Sequence, residues 1–128
     1  MTGPAAKILV VEDDAGMRLA IERLLDVGGF MCAAYESADA LLAHGVDDDS
    51  ACVISDLRMP GMSGLELLAA LREQQILLPF ILITAHDGPG LRQKAISSGA
   101  IAYLPKPFRG TALLDAVRCA IEPPPQRP

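Results

Sequence analysis

The residues of this chain best suited to chemistry are polar groups that directly follow short apolar runs. Glu12, Asp13 and Asp14 come after ILVV, and Asp56 stands just beyond the run Ala51 to Ile54. Thr84 ends FILIT, and Lys106 precedes Pro107 shortly after IAYL. A single acidic residue after such a run is usually a turn former. Four runs that each deliver a polar group amount to a set. Asp56 leaves a rigid stretch of chain, which is the seat a carboxylate nucleophile needs. Bringing Glu12 and Asp13 close to it has a cost, since two carboxylates ~4 Å apart repel by about 4 kcal/mol at an effective dielectric near 20. A hard divalent cation with oxygen ligands offsets that repulsion, and Mg²⁺ suits a site of few carboxylates, retained waters and a phosphoryl oxygen. Lys106 adds a fixed positive charge and Thr84 a hydroxyl donor. The chemistry such a set supports is attack of Asp56 on phosphorus, with charge neutralised by the cation and the ammonium.

The elements that must position these groups are legible as apolar runs alternating with segments of helical period, the pattern of buried parallel strands joined by helices. Strands are expected at Ile8 to Val11, Met31 to Tyr35, Val53 to Ser55, Phe80 to Thr84 and Ile101 to Leu104; the second is small and mixed in composition. Met17, Ala20, Ile21, Leu24 and Leu25 recur at helical spacing before Gly28-Gly29. Ser37 caps a second helix that carries Ala40, Leu41 and Leu42. Leu65, Leu68 and Leu71 line a third, and Leu113, Leu114, Val117 and Ile121 a last one, stopped by Pro123-Pro124-Pro125. The fourth, about Leu91 to Ser98, is entered through Asp87-Gly88-Pro89-Gly90, so its first turn is expected to be frayed or short. Right-handed crossovers then give a (βα)5 sandwich. In such open sheets, ligands bind beyond the carboxyl ends of the strands, where the polar set lies.

With 128 residues and 51% hydrophobic content, the chain can build one buried core. A net charge of −5 gives no basic footprint for direct nucleic-acid binding, and no segment has the apolar length to span a bilayer. MTGPAAK lacks the basic-then-apolar pattern of a secretory signal, so a cytoplasmic location is expected. Cys32, Cys52 and Cys119 lack metal or redox spacing.

The segments ILVVEDDAGMR, VISDLRMPGMSGLELL, ILITAH and GAIAYLPKPF, in this order and spacing, resemble the receiver domain of bacterial two-component response regulators. The likeness runs from about Lys7 to Ile121. It implies a flavodoxin-like α/β fold, a three-layer sandwich with parallel sheet order 2-1-3-4-5. It also implies that Asp56 is the phosphoacceptor, supplied by a sensor histidine kinase. Glu12 and Asp13 become the acidic pair, with Mg²⁺ held by Asp13, Asp56 and the Arg58 main-chain carbonyl. Thr84 and Lys106 hold the phosphoryl oxygens, and the Lys106-Pro107 bond is cis. Tyr103 becomes a switch aromatic that turns inward with Thr84; ordinary strand packing is the other reading of that residue. Residues 1–122 form the receiver and 123–128 a Pro-rich tail or the start of a linker. The wording DLRMPGMSG further resembles receivers that precede a LuxR-type DNA-binding domain, which would make the protein a transcription regulator. Dimerisation is then expected through the region Leu91 to Ile121, with Arg92, Lys94, Arg109, Asp115 and Arg118 as charged contacts.

Two other functions fit less well. A phosphoaspartyl phosphatase of the haloacid dehalogenase kind needs a second aspartate two residues after the first, where Arg58 stands. A flavin carrier needs a phosphate-cradling loop after the first strand, where Glu12-Asp13-Asp14 would repel the phosphate. The reading is a signalling switch rather than a metabolic enzyme. Asp14 is expected to start a helix, His86 to face solvent in a loop, His44 to end a helix, and Met59-Pro60-Gly61-Met62 to shape the loop after Asp56.

Overall fold

A computed structural model describes residues 6–121. Five parallel strands, β1 (Lys7–Val11), β2 (Met31–Tyr35), β3 (Ser50–Asp56), β4 (Phe80–Thr84) and β5 (Ala102–Pro105), lie in the order β2-β1-β3-β4-β5. They alternate with α1 (Ala15–Val27), α2 (Ala38–His44), α3 (Gly64–Glu73), α4 (Leu91–Ser97) and α5 (Gly110–Ile121). The strand order reverses between β1 and β3, whose carboxyl ends carry Glu12 and Asp56.

Side chains alternate across each strand, and this alternation divides the core in two. Leu9, Val11, Val53, Phe80, Leu82 and Tyr103 face the layer that holds Leu41 of α2, Leu67, Leu68 and Leu71 of α3 and Ala95 of α4. Ile8, Val10, Cys52, Ile54, Ile81 and Ile83 face the other layer, with Ile21 and Leu25 of α1 and Leu113, Leu114 and Val117 of α5. The middle strands read as continuous apolar runs because both faces are covered. Edge strand β2 has no fully buried residue, hence its mixed sequence.

Four elements depart from their expected bounds, β1 by starting one residue earlier, at Lys7. β3 is longer than Val53 to Ser55, because pairing with β1 begins at Ser50 and pairing with β4 reaches Asp56, which is therefore the last residue of the strand. β5 starts one residue later than expected: Ile101 is half exposed while Pro105 pairs with Thr84, on an edge strand that tolerates proline. α4 ends at Ser97, and its Gly90 cap sits at φ 78° with no side-chain capping bond, in line with the weak entry expected there. In α3, Leu67 joins Leu68 and Leu71 in the core, whereas Leu65 is only partly buried. The caps expected of Ser37 and Asp14 are present: Ser37 Oγ accepts from the Ala40 amide, and Asp14 Oδ1 accepts from the Gly16 and Met17 amides. The proline stop at 123–125, the boundary at residue 122 and the tail 123–128 lie outside the described residues.

Candidate phosphoacceptor site

The site is assembled from four strand ends. Glu12 lies one residue beyond β1, held by its amide, which donates to the Tyr35 carbonyl at 3.0 Å. Arg18 of α1 donates to the Glu12 carbonyl at 2.8 Å. The Glu12 side chain is 1% exposed; Oε2 accepts from the Asp14 amide at 3.2 Å and Oε1 from Lys106 Nζ at 2.8 Å. Lys106 Nζ also lies 3.4 Å from Asp56 Oδ2, and its own amide donates to the Thr84 carbonyl at 2.7 Å. The Lys106-Pro107 peptide is cis, as the resemblance implied.

Asp56 is 7% exposed. On its far side, the Leu57 amide donates to the Ile83 carbonyl, and the Gly64 amide to the Leu57 carbonyl. A Cβ at Gly64 would overlap the Asp56 carbonyl oxygen and press on Leu82, so α3 starts this close to β3 only because residue 64 is glycine.

Carboxylate oxygens of Glu12, Asp13 and Asp56 lie within 4.8 Å of one another, with Asp13 the exposed member. Burial pushes the Glu12 pKa upward, and the nearby Asp56 charge adds to this; the hydrogen bonds from Lys106 and the Asp14 amide pull against it. For Lys106 burial disfavours the charge, but the Glu12 hydrogen bond and the Asp56 and Glu12 charges outweigh it, and its pKa lies above the usual lysine value. Lys106 is a permanent cation between two carboxylates. Three carboxylates facing one ammonium leave negative charge unmatched, and the donors are all hard oxygens. That is a fit for a divalent ion such as Mg²⁺.

Thr84 is fully buried, and its Oγ1 accepts from the His86 amide at 3.0 Å, which leaves the hydroxyl proton free to donate. His86 is exposed, as expected. Tyr103 is 1% exposed, with its ring in the α2–α3–α4 layer and its hydroxyl donating to Asp87 Oδ1 at 2.7 Å. Arg58 is exposed in the loop after β3. Cys52 and Cys32 thiols are pushed up by burial to about 12 and about 11, so neither offers a thiolate at neutral pH.

Glu12, Asp13, Asp56 and Lys106 thus converge on one rim, with Thr84 tied to it through Lys106. Four contributors were missed in the sequence: Arg18, Gly64, Asp87, and Ser55, whose hydroxyl donates to the Asp56 carbonyl. Only Gly64, at the start of a helical run, left a signal.

Residues 8–118 match the family model of the response regulator receiver domain. The chain belongs to that family. This receiver domain is 42% identical over 116 residues to the C4-dicarboxylate transport transcriptional regulatory protein DctD of Pseudomonas aeruginosa, covering 91% of this chain and 25% of that protein. It is 35% identical to the transcriptional regulatory protein FixJ of Rhizobium meliloti, over 88% of this chain and 55% of FixJ. The receiver domain therefore spans little more than half, or less, of these curated relatives. The crystal structure of FixJ-N matches it with a TM-score of 0.84 at 32% identity, covering 99% of this chain and 100% of the other. The chemotaxis protein CheY4 of Vibrio cholerae matches with a TM-score of 0.82 at 28% identity, covering 91% and 98%. Among the described residues, no helix is long and apolar enough to cross a membrane.

Proposed function

We propose that Asp56 accepts a phosphoryl group from a phosphohistidine of a sensor histidine kinase in the cytoplasm. The observation that carries this reading is the convergence of Glu12, Asp13, Asp56 and Lys106 at the strand ends where the sheet order reverses. An Asp56 oxygen forms the new O–P bond while the P–N bond breaks, its electron pair returning to the imidazole. Lys106, already within reach of Asp56, pairs with a phosphoryl oxygen as charge builds there. Thr84 donates its free hydroxyl proton to another. Asp13, Asp56 and the Arg58 main-chain carbonyl, with Glu12 completing the acidic set, would hold Mg²⁺, which when bound supplies charge neutralisation at the phosphoryl oxygens. The domain turns over nothing but its own phosphorylation; it is a switch.

An apolar groove of about 290 Å³ beside Lys106, lined by Met17, Ile21, Leu24, Pro107 and Phe108, supports docking of the kinase next to the acceptor. The added charge then biases the surface of α4, β5 and α5, with Thr84 and Tyr103 as the switch. Ile96 and Ile101, each about half exposed on that surface, together with exposed Arg92, Lys94, Arg109, Asp115 and Arg118, support homodimerisation there. Because DctD and FixJ are much longer than this chain and are named as transcriptional regulators, a LuxR-type or other DNA-binding output domain linked to the receiver is part of the same reading.

The test is incubation with Mg²⁺ and a small phosphodonor, or with beryllofluoride, alongside Asp56→Asn. Native protein should gain the mass of one phosphoryl group and the variant none; equal modification of both would remove Asp56 from its role.

A further inference from the structure

The turn between β1 and α1 is closed twice by one residue that the proposed chemistry does not use. Arg18, near the start of α1 and partly buried, donates its main-chain amide to the Asp14 carbonyl at 2.9 Å. Its guanidinium reaches back over the turn and donates to the Glu12 carbonyl at 2.8 Å. The other polar atoms of Glu12 are engaged elsewhere: the amide with the Tyr35 carbonyl, Oε1 with Lys106 and Oε2 with the Asp14 amide. Asp13 lies between the two points that Arg18 holds, and it is the exposed member of the acidic set. Its carboxylate goes where the Glu12-Asp13 peptide sends it. The positive charge of Arg18 alone would oppose a divalent cation at these carboxylates, so a guanidinium here needs another reason.

We propose that Arg18 is the positioning residue of the cation-binding turn, its guanidinium fixing the plane of the Glu12-Asp13 peptide and thereby the place of the Asp13 carboxylate. A hydrogen bond from a charged donor is stronger than one between neutral groups, and the planar guanidinium is pre-organised to make it. Without it the Glu12 carbonyl can turn towards water, and the peptide that carries Asp13 turns with it. Groups that orient a metal ligand matter nearly as much to affinity as the ligand itself. The part of this proposal that concerns cation affinity rests on the reading of Glu12, Asp13 and Asp56 given above.

The test uses the whole chain, native and with Arg18→Ala or Arg18→Lys. Glu12-Asp13 is the only Glu-Asp peptide in the sequence, so ¹³C at glutamate carbonyls and ¹⁵N at aspartate amides give that one bond a signal of its own. In the cation-free protein, Arg18→Ala should shift or broaden this signal. Mn²⁺, which favours the same oxygen donors as Mg²⁺, is then titrated and followed by electron paramagnetic resonance, with Asp13→Asn locating the site. Arg18→Ala should weaken Mn²⁺ binding about tenfold, although the loss of a cation by itself would tighten it. Arg18→Lys, whose ammonium can still donate to the Glu12 carbonyl, should lie between native and Ala in both readings. Equal or tighter Mn²⁺ binding in Arg18→Ala overturns the proposal, as does an unmoved Glu12-Asp13 signal. Failure of native protein to bind Mn²⁺, or binding that survives Asp13→Asn, would sink the reading of the acidic set, while the cation-free spectra still judge Arg18.

Discussion

Lys106 holds together charges that would otherwise push apart. Glu12 is almost wholly buried, and its remaining partner is the Asp14 amide. Lys106→Ala therefore leaves a buried carboxylate with one weak donor and brings Glu12, Asp13 and Asp56 into unrelieved repulsion. Breaking a buried pair costs about 3–5 kcal/mol, and the partial exposure of Lys106 and the Asp14 amide reduce this to roughly 1–3 kcal/mol. Urea melts should show that loss, and Mg²⁺ should recover more stability in the variant than in native protein, because the cation meets a larger unmatched charge. Equal Mg²⁺ responses in the two proteins would contradict the account of Lys106 as the resident counter-charge. Asp14 enters this network only through its main-chain amide; its carboxylate is spent on the α1 amides.

Among the elements, the start of α3 is the most tightly constrained. Gly64→Ala puts a methyl into the Asp56 carbonyl and the Leu82 side chain. Overpacking of this kind costs about 1–3 kcal/mol, and here the chain that must yield carries Asp56, the proposed acceptor. The variant should melt earlier and also take up beryllofluoride more weakly; a stability loss with unchanged uptake would mean that β3 holds Asp56 without help from α3. The elements also explain what could be read in advance. β1, β3 and β4 are apolar on both faces, and polar groups at their carboxyl ends stand out by contrast, so Asp56, Glu12 and Thr84 were legible. The ends of β3 escaped notice because Ser50 and Asp56 join the ladder through backbone bonds that side-chain type does not reveal. The Asp87–Tyr103 bond was hidden for a related reason: it links a turn to a strand 16 residues on, with no periodicity to mark it.

At the scale of the whole molecule, the two core layers meet only through the sheet, and Tyr103 is among the largest side chains of one of them. Burial, reinforced by the bond to Asp87, pushes its phenol up to about 12, from an ordinary value of 10.0. Between those values the unfolded chain has released this proton and the folded chain has kept it. Stability is therefore undiminished by this group below about pH 10 and falls as pH rises towards about 12. Chemical denaturation across that range should show the decline, and Tyr103→Phe should flatten it. A native curve no steeper than the variant's would place Tyr103 outside the buried layer.

Glu12 and Lys106 are 94 residues apart in the chain and 2.8 Å apart in the fold. Synthesis proceeds from the amino end, so a ribosome exposes Glu12, Asp13 and Asp56 well before Lys106. Until β5 and the loop after it have emerged and docked, the carboxylates lack their ammonium. On the proposed chemistry a half-made chain is deaf to its kinase: the acceptor exists early, but the competence to be signalled arrives last.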